Sequence, residues 1–386
     1  MTMKAILLNG KPGSRTAIKD FLSIETIPIP EIKTDQVLVR VKATALNIED
    51  IMIGVGWRFG TAITATKEKP VVLGQEFSGV VEKVGTKVKK FKPGDTVLGH
   101  KLPMRVRFGS WAEFVVIDEK SLVLKPSSYS HAEAAAIPMQ CQVAQGAVEA
   151  AGFLKRKVLD NCEHKRLNPE DVEVVVDEKN KALITKAGTD IDKVTQAKVA
   201  VVGASSTSGL MMTDMLVSRG VDVVGVCSAS SAPAVLSNGA IAVLDRNAGG
   251  LEAKPSGLNL EVVFDCVGGQ KIEDTAREVL GNKGHFVTIA GPGEGFGAEI
   301  DSVSGLMSHM TTAACRSFKS KFSGTKYTLA AMPVTGGAGH IQQHLQDNLK
   351  SVVDSEVDMF DWEALKAAIE KVNNHKTRGR LVLVIK

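Results

Sequence analysis

The stretch "VAVVGASSTSGLMM", Val199 to Met212, decides the fold. Its opening apolar run reads as a buried strand of a parallel sheet. A loop of small residues follows, and then a second apolar segment. Gly203 and Gly209 hold the outer positions of a GxxGxxG pattern, with Ser206 at the centre. Small residues there let backbone amides approach a pyrophosphate. A helix beginning near Ser208 would aim its positive end at that charge. Ser205, Ser206 and Thr207 offer hydroxyl donors. Strand, loop and helix with a second strand close behind form the context a dinucleotide site requires. The competing reading is a tight turn that binds nothing, because a Cβ at Ser206 narrows the approach.

Outward from this loop, the chain from Lys198 alternates strands with helices: "KVAVVG", "VDVVGVCS", "AIAVLD", "LNLEVVFDCVGG" and "GHFVTIAG" are the strands. That alternation predicts a doubly wound parallel sheet with a nucleotide beyond the strands' carboxyl ends. The second strand ends "VVGVCSASSA", without an acid for a ribose diol. Ser228, Ser230 and Ser231 could instead donate to a 2′-phosphate, so NADPH is favoured over NADH. Arg246 could add a positive charge if the chain folds back, or be a solvated surface arginine.

Upstream, residues 4–125 read as short strands punctuated by Gly and Pro, a compact, partly closed β domain. Residues 131–152 read as helical, with Pro138 starting or kinking a helix. The charged segment 155–197 reads as a surface insertion: a hairpin of "VEVVV" and "KALIT" with mobile flanks. Residues 293–333 resist assignment, and "RGRLVLVIK" reads as a final strand.

The 386 residues allow two domains. With 44% apolar and 23% charged residues, the chain is globular in composition. A net charge of +4 does not argue for nucleic acid. Five widely spaced cysteines give neither a disulfide framework nor a zinc ribbon. No signal peptide or membrane span is read, so a cytoplasmic protein is expected, with organelle association and a peripheral membrane contact left open.

Together the loop, the N-terminal β domain and "FDCVGG" resemble the medium-chain dehydrogenase/reductase superfamily. The similarity is greatest to its zinc-free quinone oxidoreductase branch, including the reticulon-4-interacting-protein-like NADPH oxidoreductases. "ALNIEDIMIGVG", "PVVLGQEFSGVVEKVG" with "FKPGDTV", "GSWAEFVV", "NGAIAVLDRN" and "TRGRLVLVI" carry the resemblance, which spans nearly the whole chain outside the insertion. It implies a GroES-like β-barrel domain over 1–127, with 340–386 returning to it in part, and a Rossmann domain over 128–339. It implies a homodimer, and NADPH-dependent reduction of quinones or α,β-unsaturated carbonyls (enones or enoyl compounds). It places Asn47 beside the nicotinamide, with Cys266, Val267, Gly268 and Ala290 lining that side. Asn47 could hold the ribose, polarise a substrate carbonyl, or simply close a turn. Zinc is not expected, because Gln75 stands where the zinc members carry a histidine and no cysteine precedes it. The proton donor is open. Tyr327 falls in the substrate-side region and is either an acid or a packing residue. Trp57 stands near where related enoyl reductases place a tyrosine. Arg316, Lys319, Lys321 and Lys326 form a basic cluster beside Phe318 and Phe322, either a solvated face or a surface for an anionic partner. The rival function is an NADPH-binding scaffold with little turnover.

Overall fold

In the computed structural model the described residues are 1–54, 65–101, 107–154, 158, 167–293, 303–320, 322, 324–330, 338–347, 353–374, 376–377 and 379–385. Trp57, Cys162 and Lys321 lie outside them. The chain forms two compact units, Met1–Gln140 with Val334–Lys386, and Cys141–Pro333.

In the first unit, β3 (Gln36–Leu46) organises the sheet. Its alternating sequence buries Val37, Val39, Val41, Ala43 and Ala45. It pairs antiparallel with β5 (Glu76–Val84), β7 (Phe114–Asp118) and the returning C-terminal β18 (Arg380–Val384). β6 (Thr96–His100) and β8 (Leu122–Leu124) extend the sheet beyond β5, and β17 (Val353–Asp358) runs parallel to β18. Trp111, Phe77, Ile6 and Ile369 fill its core. The helical stretch at 131–152 divides into α2 (His131–Ala135) and α3 (Pro138–Ala150), with Pro138 at the start of the second.

In the second unit, β11 (Val199–Val202), β12 (Val223–Cys227), β13 (Ala242–Asp245), β14 (Val262–Asp265), β15 (His285–Thr288) and β16 (Lys326–Leu329) run parallel. Their order is β16-β15-β14-β11-β12-β13. β11 therefore lies between the two halves, and its carboxyl end is the switch point where such sheets take ligands. α5 (Thr207–Val217) leaves that point and is buried along most of its length. α7 (Gln270–Leu280) covers the sheet with Ala276 and Leu280. In the region that resisted assignment, α8 (Val303–Lys319) leads to β16.

The charged insertion corrects one expectation. Its hairpin, β9 (Val174–Val176) and β10 (Leu183–Lys186), is not a loose surface addition. β10 pairs antiparallel with β13 and extends the sheet to eight strands, with β9 at the edge. Leu183 and Ile184 are buried, and Leu183 joins the core with Val194, Leu244 and Leu251. The apolar "ALI" thus outweighs the charge around it.

Replacing Leu183 by Ala should therefore lower unfolding free energy by ~2–4 kcal/mol. Urea unfolding followed by circular dichroism checks it. A change within ~0.5 kcal/mol, as at a surface site, would mean that the hairpin is not part of the core.

Candidate functional site

The loop after β11 is shaped by its own backbone. Gly203 and Ala204 donate their amides to Val226 O at 2.9 and 3.2 Å, which ties the loop to β12. Gly203 has φ +76°, and a Cβ there would stand 2.7 Å from Val267 Cγ2. At Gly209 a Cβ would stand 2.3 Å from Gly203 O. Both glycines are therefore sterically required. Ser206 caps α5, its Oγ accepting from Gly209 N at 3.1 Å. Its hydroxyl also bonds the Cys266 side chain. Ser206, expected as a hydroxyl donor to the phosphates, is thus also the cap of the helix, and accepting from Gly209 N leaves its O–H as a donor. Ser205, Thr207 and Ser208 remain partly exposed around the first turn of α5. First-turn amides have no intrahelical acceptor, so the cradle fits the phosphates of a dinucleotide.

At the end of β12, Ser228 Oγ lies 3.2 Å from Ser230 Oγ and 3.1 Å from Ser231 Oγ. The sequence shows no acid on this strand, yet the sheet brings one from the next. Asp245 ends β13 opposite Cys227, and its Oδ1 accepts from Ala229 N at 3.2 Å and Asn247 N at 3.1 Å. Arg246, exposed beside it, acts electrostatically on Cys227. The serine cluster therefore carries one acid and one base of opposite effect on a bound phosphate. Strand pairing created this juxtaposition, and linear spacing could not show it.

On the other side of β11, Asp265 organises the loops after β14 and β15. It is buried and accepts from Val267 N at 2.9 Å, Gly268 N at 2.9 Å and Thr288 Oγ1 at 2.7 Å. Thr288 Oγ1 in turn accepts from Ala290 N at 3.1 Å and Gly291 N at 2.9 Å. Burial raises the Asp265 pKa, against the lowering effect of these donated bonds. Gly268, at φ +86°, has no room for a Cβ beside Gly293 O and Ala290. The network brings Cys266, Val267, Gly268 and Ala290 together beside Gly203. Burial raises the Cys266 thiol above its ordinary range, so it is not a ready thiolate. Asp265 and Thr288 went unnoticed in the sequence. The only signal was an acid ending an apolar strand.

Tyr327 is corrected. It lies in β16 within the sheet's core, its ring 5.9 Å from Phe286. Burial pushes its hydroxyl up to about 12, which suits packing and not proton donation to a substrate. Arg316 also leaves the proposed basic face: it forms an ion pair with buried Glu273 and donates to Gln270. Phe318 and Phe322 stack edge-to-face, 5.0 Å apart, and stay exposed.

In the first unit, Asn47 precedes α1 (Ile48–Gly54) and is buried. Its Nδ2 donates to Glu76 Oε1 at 2.9 Å, while its Oδ1 has no protein partner. An orphaned buried acceptor is costly, and a donor from a ligand would satisfy it. Asp50 accepts from Asn47 N at 3.1 Å and Gln75 Nε2 at 3.0 Å. Glu76 pairs with Arg380 and accepts from Met139 N at 2.7 Å. Burial pushes Asp50 up to about 6 and Glu49 up to about 7, and lowers Arg380 to about 10. Gln75, at the expected histidine position, is turned to Asp50. Among the described residues no three His, Cys, Asp or Glu side chains gather as a metal site. These donors do not fit a zinc ion.

Residues 33–127 match the alcohol dehydrogenase GroES-like domain family, and residues 238–383 the zinc-binding dehydrogenase family. The chain is 28% identical over 367 residues to the mitochondrial NAD(P)H oxidoreductase RTN4IP1 of Danio rerio, covering 91% of this chain and 84% of that protein. It is 30% identical over 277 residues to the chloroplastic NADPH-dependent alkenal/one oxidoreductase of Arabidopsis thaliana, covering 70% of this chain and 60% of that protein. The quinone oxidoreductase structure from Coxiella burnetii superposes with a TM-score of 0.69 at 19% identity, covering both chains fully. With its GroES-like and Rossmann folds, this chain belongs to the medium-chain dehydrogenase/reductase superfamily, in the zinc-independent quinone and enone oxidoreductase branch related to the RTN4IP1 proteins.

Proposed function

We propose that this oxidoreductase uses NADPH to reduce quinones or α,β-unsaturated carbonyls, without zinc. The observation that carries the reading is the cradle after β11, where Gly203 and Gly209 have no room for side chains and Ser206 caps α5. NADPH, when bound, supplies the hydride. The chain's own residues do the rest. The loop at 203–209 holds the diphosphate through main-chain amides. Ser228, Ser230, Ser231 and Arg246 receive the 2′-phosphate, with Asp245 opposing them and tempering the preference over NADH. Asp265 fixes the Val267 and Gly268 amides, and Asn47 offers its unpaired Oδ1 to a donor of the coenzyme. Asn47 belongs here to binding, not to proton transfer.

Reduction of a conjugated carbonyl also consumes a proton. Glu49 follows Asn47 by two residues at the start of α1, and burial keeps much of its carboxyl protonated near neutrality. It takes the proton-source role that Tyr327, packed in the sheet, does not fill. The relatives named for mitochondria and chloroplasts support an organellar setting rather than the cytoplasm. A homodimer of paired Rossmann sheets is part of the same reading.

Isothermal titration should show saturable NADPH binding. Arg246→Ala should weaken NADPH about tenfold, the scale of one charge-assisted bond, and leave NADH unchanged. Equal losses for both coenzymes would remove Arg246 from the phosphate site. Ser206→Trp should abolish binding of both.

Loss of NADPH absorbance with a panel of quinones and enones should reveal turnover. Tight binding without turnover on every member would favour the scaffold instead. Because an acid must be protonated to donate, turnover should fall as pH rises through about 7, the value to which burial pushes Glu49. Glu49→Gln should cut turnover by roughly 10²-fold or more and remove that limb, with NADPH affinity intact. An unchanged profile would exclude Glu49 as the proton source.

A further inference from the structure

The hairpin that extends the Rossmann sheet leaves β9 as its last strand. In the β9–β10 register, Asp177 N donates to Leu183 O at 2.8 Å and Ala187 N to Glu173 O at 3.0 Å. Alternation along an antiparallel ladder therefore turns the main-chain groups of Glu173, Val175 and Asp177 inward. Those of Val174 and Val176 face out, and among the described residues no strand pairs with them. The side chains of Val174, Val175 and Val176 are 41%, 45% and 47% exposed. Natural sheets usually blunt such an edge with lysine, proline or a bulge. This one has none of these within the strand.

Charge decides what can lie along it. Glu170, Asp171, Glu173, Asp177 and Glu178 flank the valines, and no lysine or arginine stands between residues 168 and 178. Among the described residues, none of these five carboxylates forms a salt bridge. A second copy, paired antiparallel so that valines meet valines, would set Glu173 opposite Asp177 twice. Like charges directly opposite destabilise a strand pair. A strand with basic flanks reverses that sign.

We propose that β9 is a docking edge for a partner protein, which adds an extended, β-branched segment flanked by lysine or arginine. Main-chain bonds to Val174 and Val176 supply the pairing, and the acidic flanks supply the selection. The site lies outside the redox reading and does not depend on it.

The test uses the full chain and a fluorescent peptide, an alternation of valine and threonine between two pairs of lysines. Fluorescence anisotropy should show saturable binding that weakens with salt. The same peptide with glutamates for lysines should bind at least tenfold more weakly. Val176→Pro removes an outward N–H while leaving the inward ladder bonds, and should weaken binding at least tenfold. Peptides N-methylated on alternate residues probe the same bonds without altering the protein, so a misfolded variant does not decide the matter. Asp177→Lys with Glu178→Lys should shift the preference toward the glutamate peptide. Equal binding of both peptides, or indifference to N-methylation, overturns the proposal. So does a concentration-dependent dimer in analytical ultracentrifugation that Val176→Pro abolishes, because the occupant would then be a second copy.

Discussion

The coenzyme reading depends on a steric constraint: the helix after β11 must begin almost in contact with the turn that precedes it. A side chain at Gly209 would strike the carbonyl of Gly203, and one at Gly203 would strike Val267. With both absent, α5 starts directly at the end of β11, where its positive N-terminal end faces the switch point of the sheet. Ser206 completes the arrangement from within. A glycine at that position would leave Gly209 N without its cap, whereas the serine supplies the acceptor and also reaches Cys266. The departure from an all-glycine loop trades some access for rigidity, and a rigid loop loses less entropy when a ligand arrives.

The second loop is held by different means. Asp265 and Thr288 place their oxygens beneath four amides of the loops after β14 and β15. Gly203 and Val267 then touch across the gap between the loops. Removing Asp265 would affect both, because Val267 is the wall against which the phosphate turn packs. The nucleotide site is therefore one packed assembly and not a set of independent contacts.

Much of this was legible in the sequence. The alternation of apolar strands and helices from Lys198 onward gave the parallel sheet, because each strand buried on both faces must be continuously apolar. The final strand was legible for the same reason, whereas the return of the C-terminal segment was only implied by the family resemblance. Pairings between distant segments were not. Asp245 meets Ala229 only because β12 and β13 lie side by side. Arg316 meets Glu273 only across two helices. Tyr327 looked like a candidate acid from its place in the chain, but its strand runs through the core. The charged segment hid a buried strand because three apolar residues, Ala182, Leu183 and Ile184, suffice when they fall on a sheet's open edge.

In the first unit, the buried carboxylates of Asp50 and Glu76 are satisfied by protein partners. Gln75 donates to Asp50, Asn47 donates to Glu76, and Glu76 pairs with Arg380. Such a buried network is sound only when nearly every member is satisfied. Two of its atoms, Asn47 Oδ1 and Arg380 Nε, lack a protein partner, and the acceptor is informative: the network carries a cost there that a bound donor would relieve. Glu49 stands beside this network, where burial and the negative charge of Asp50 both favour its protonated form, while Arg380 opposes them. A carboxyl in that balance can hold a proton near neutrality without a metal to polarise its target. That capacity follows from the residues around it and not from its own identity, because an exposed glutamate would be fully ionised at the same pH.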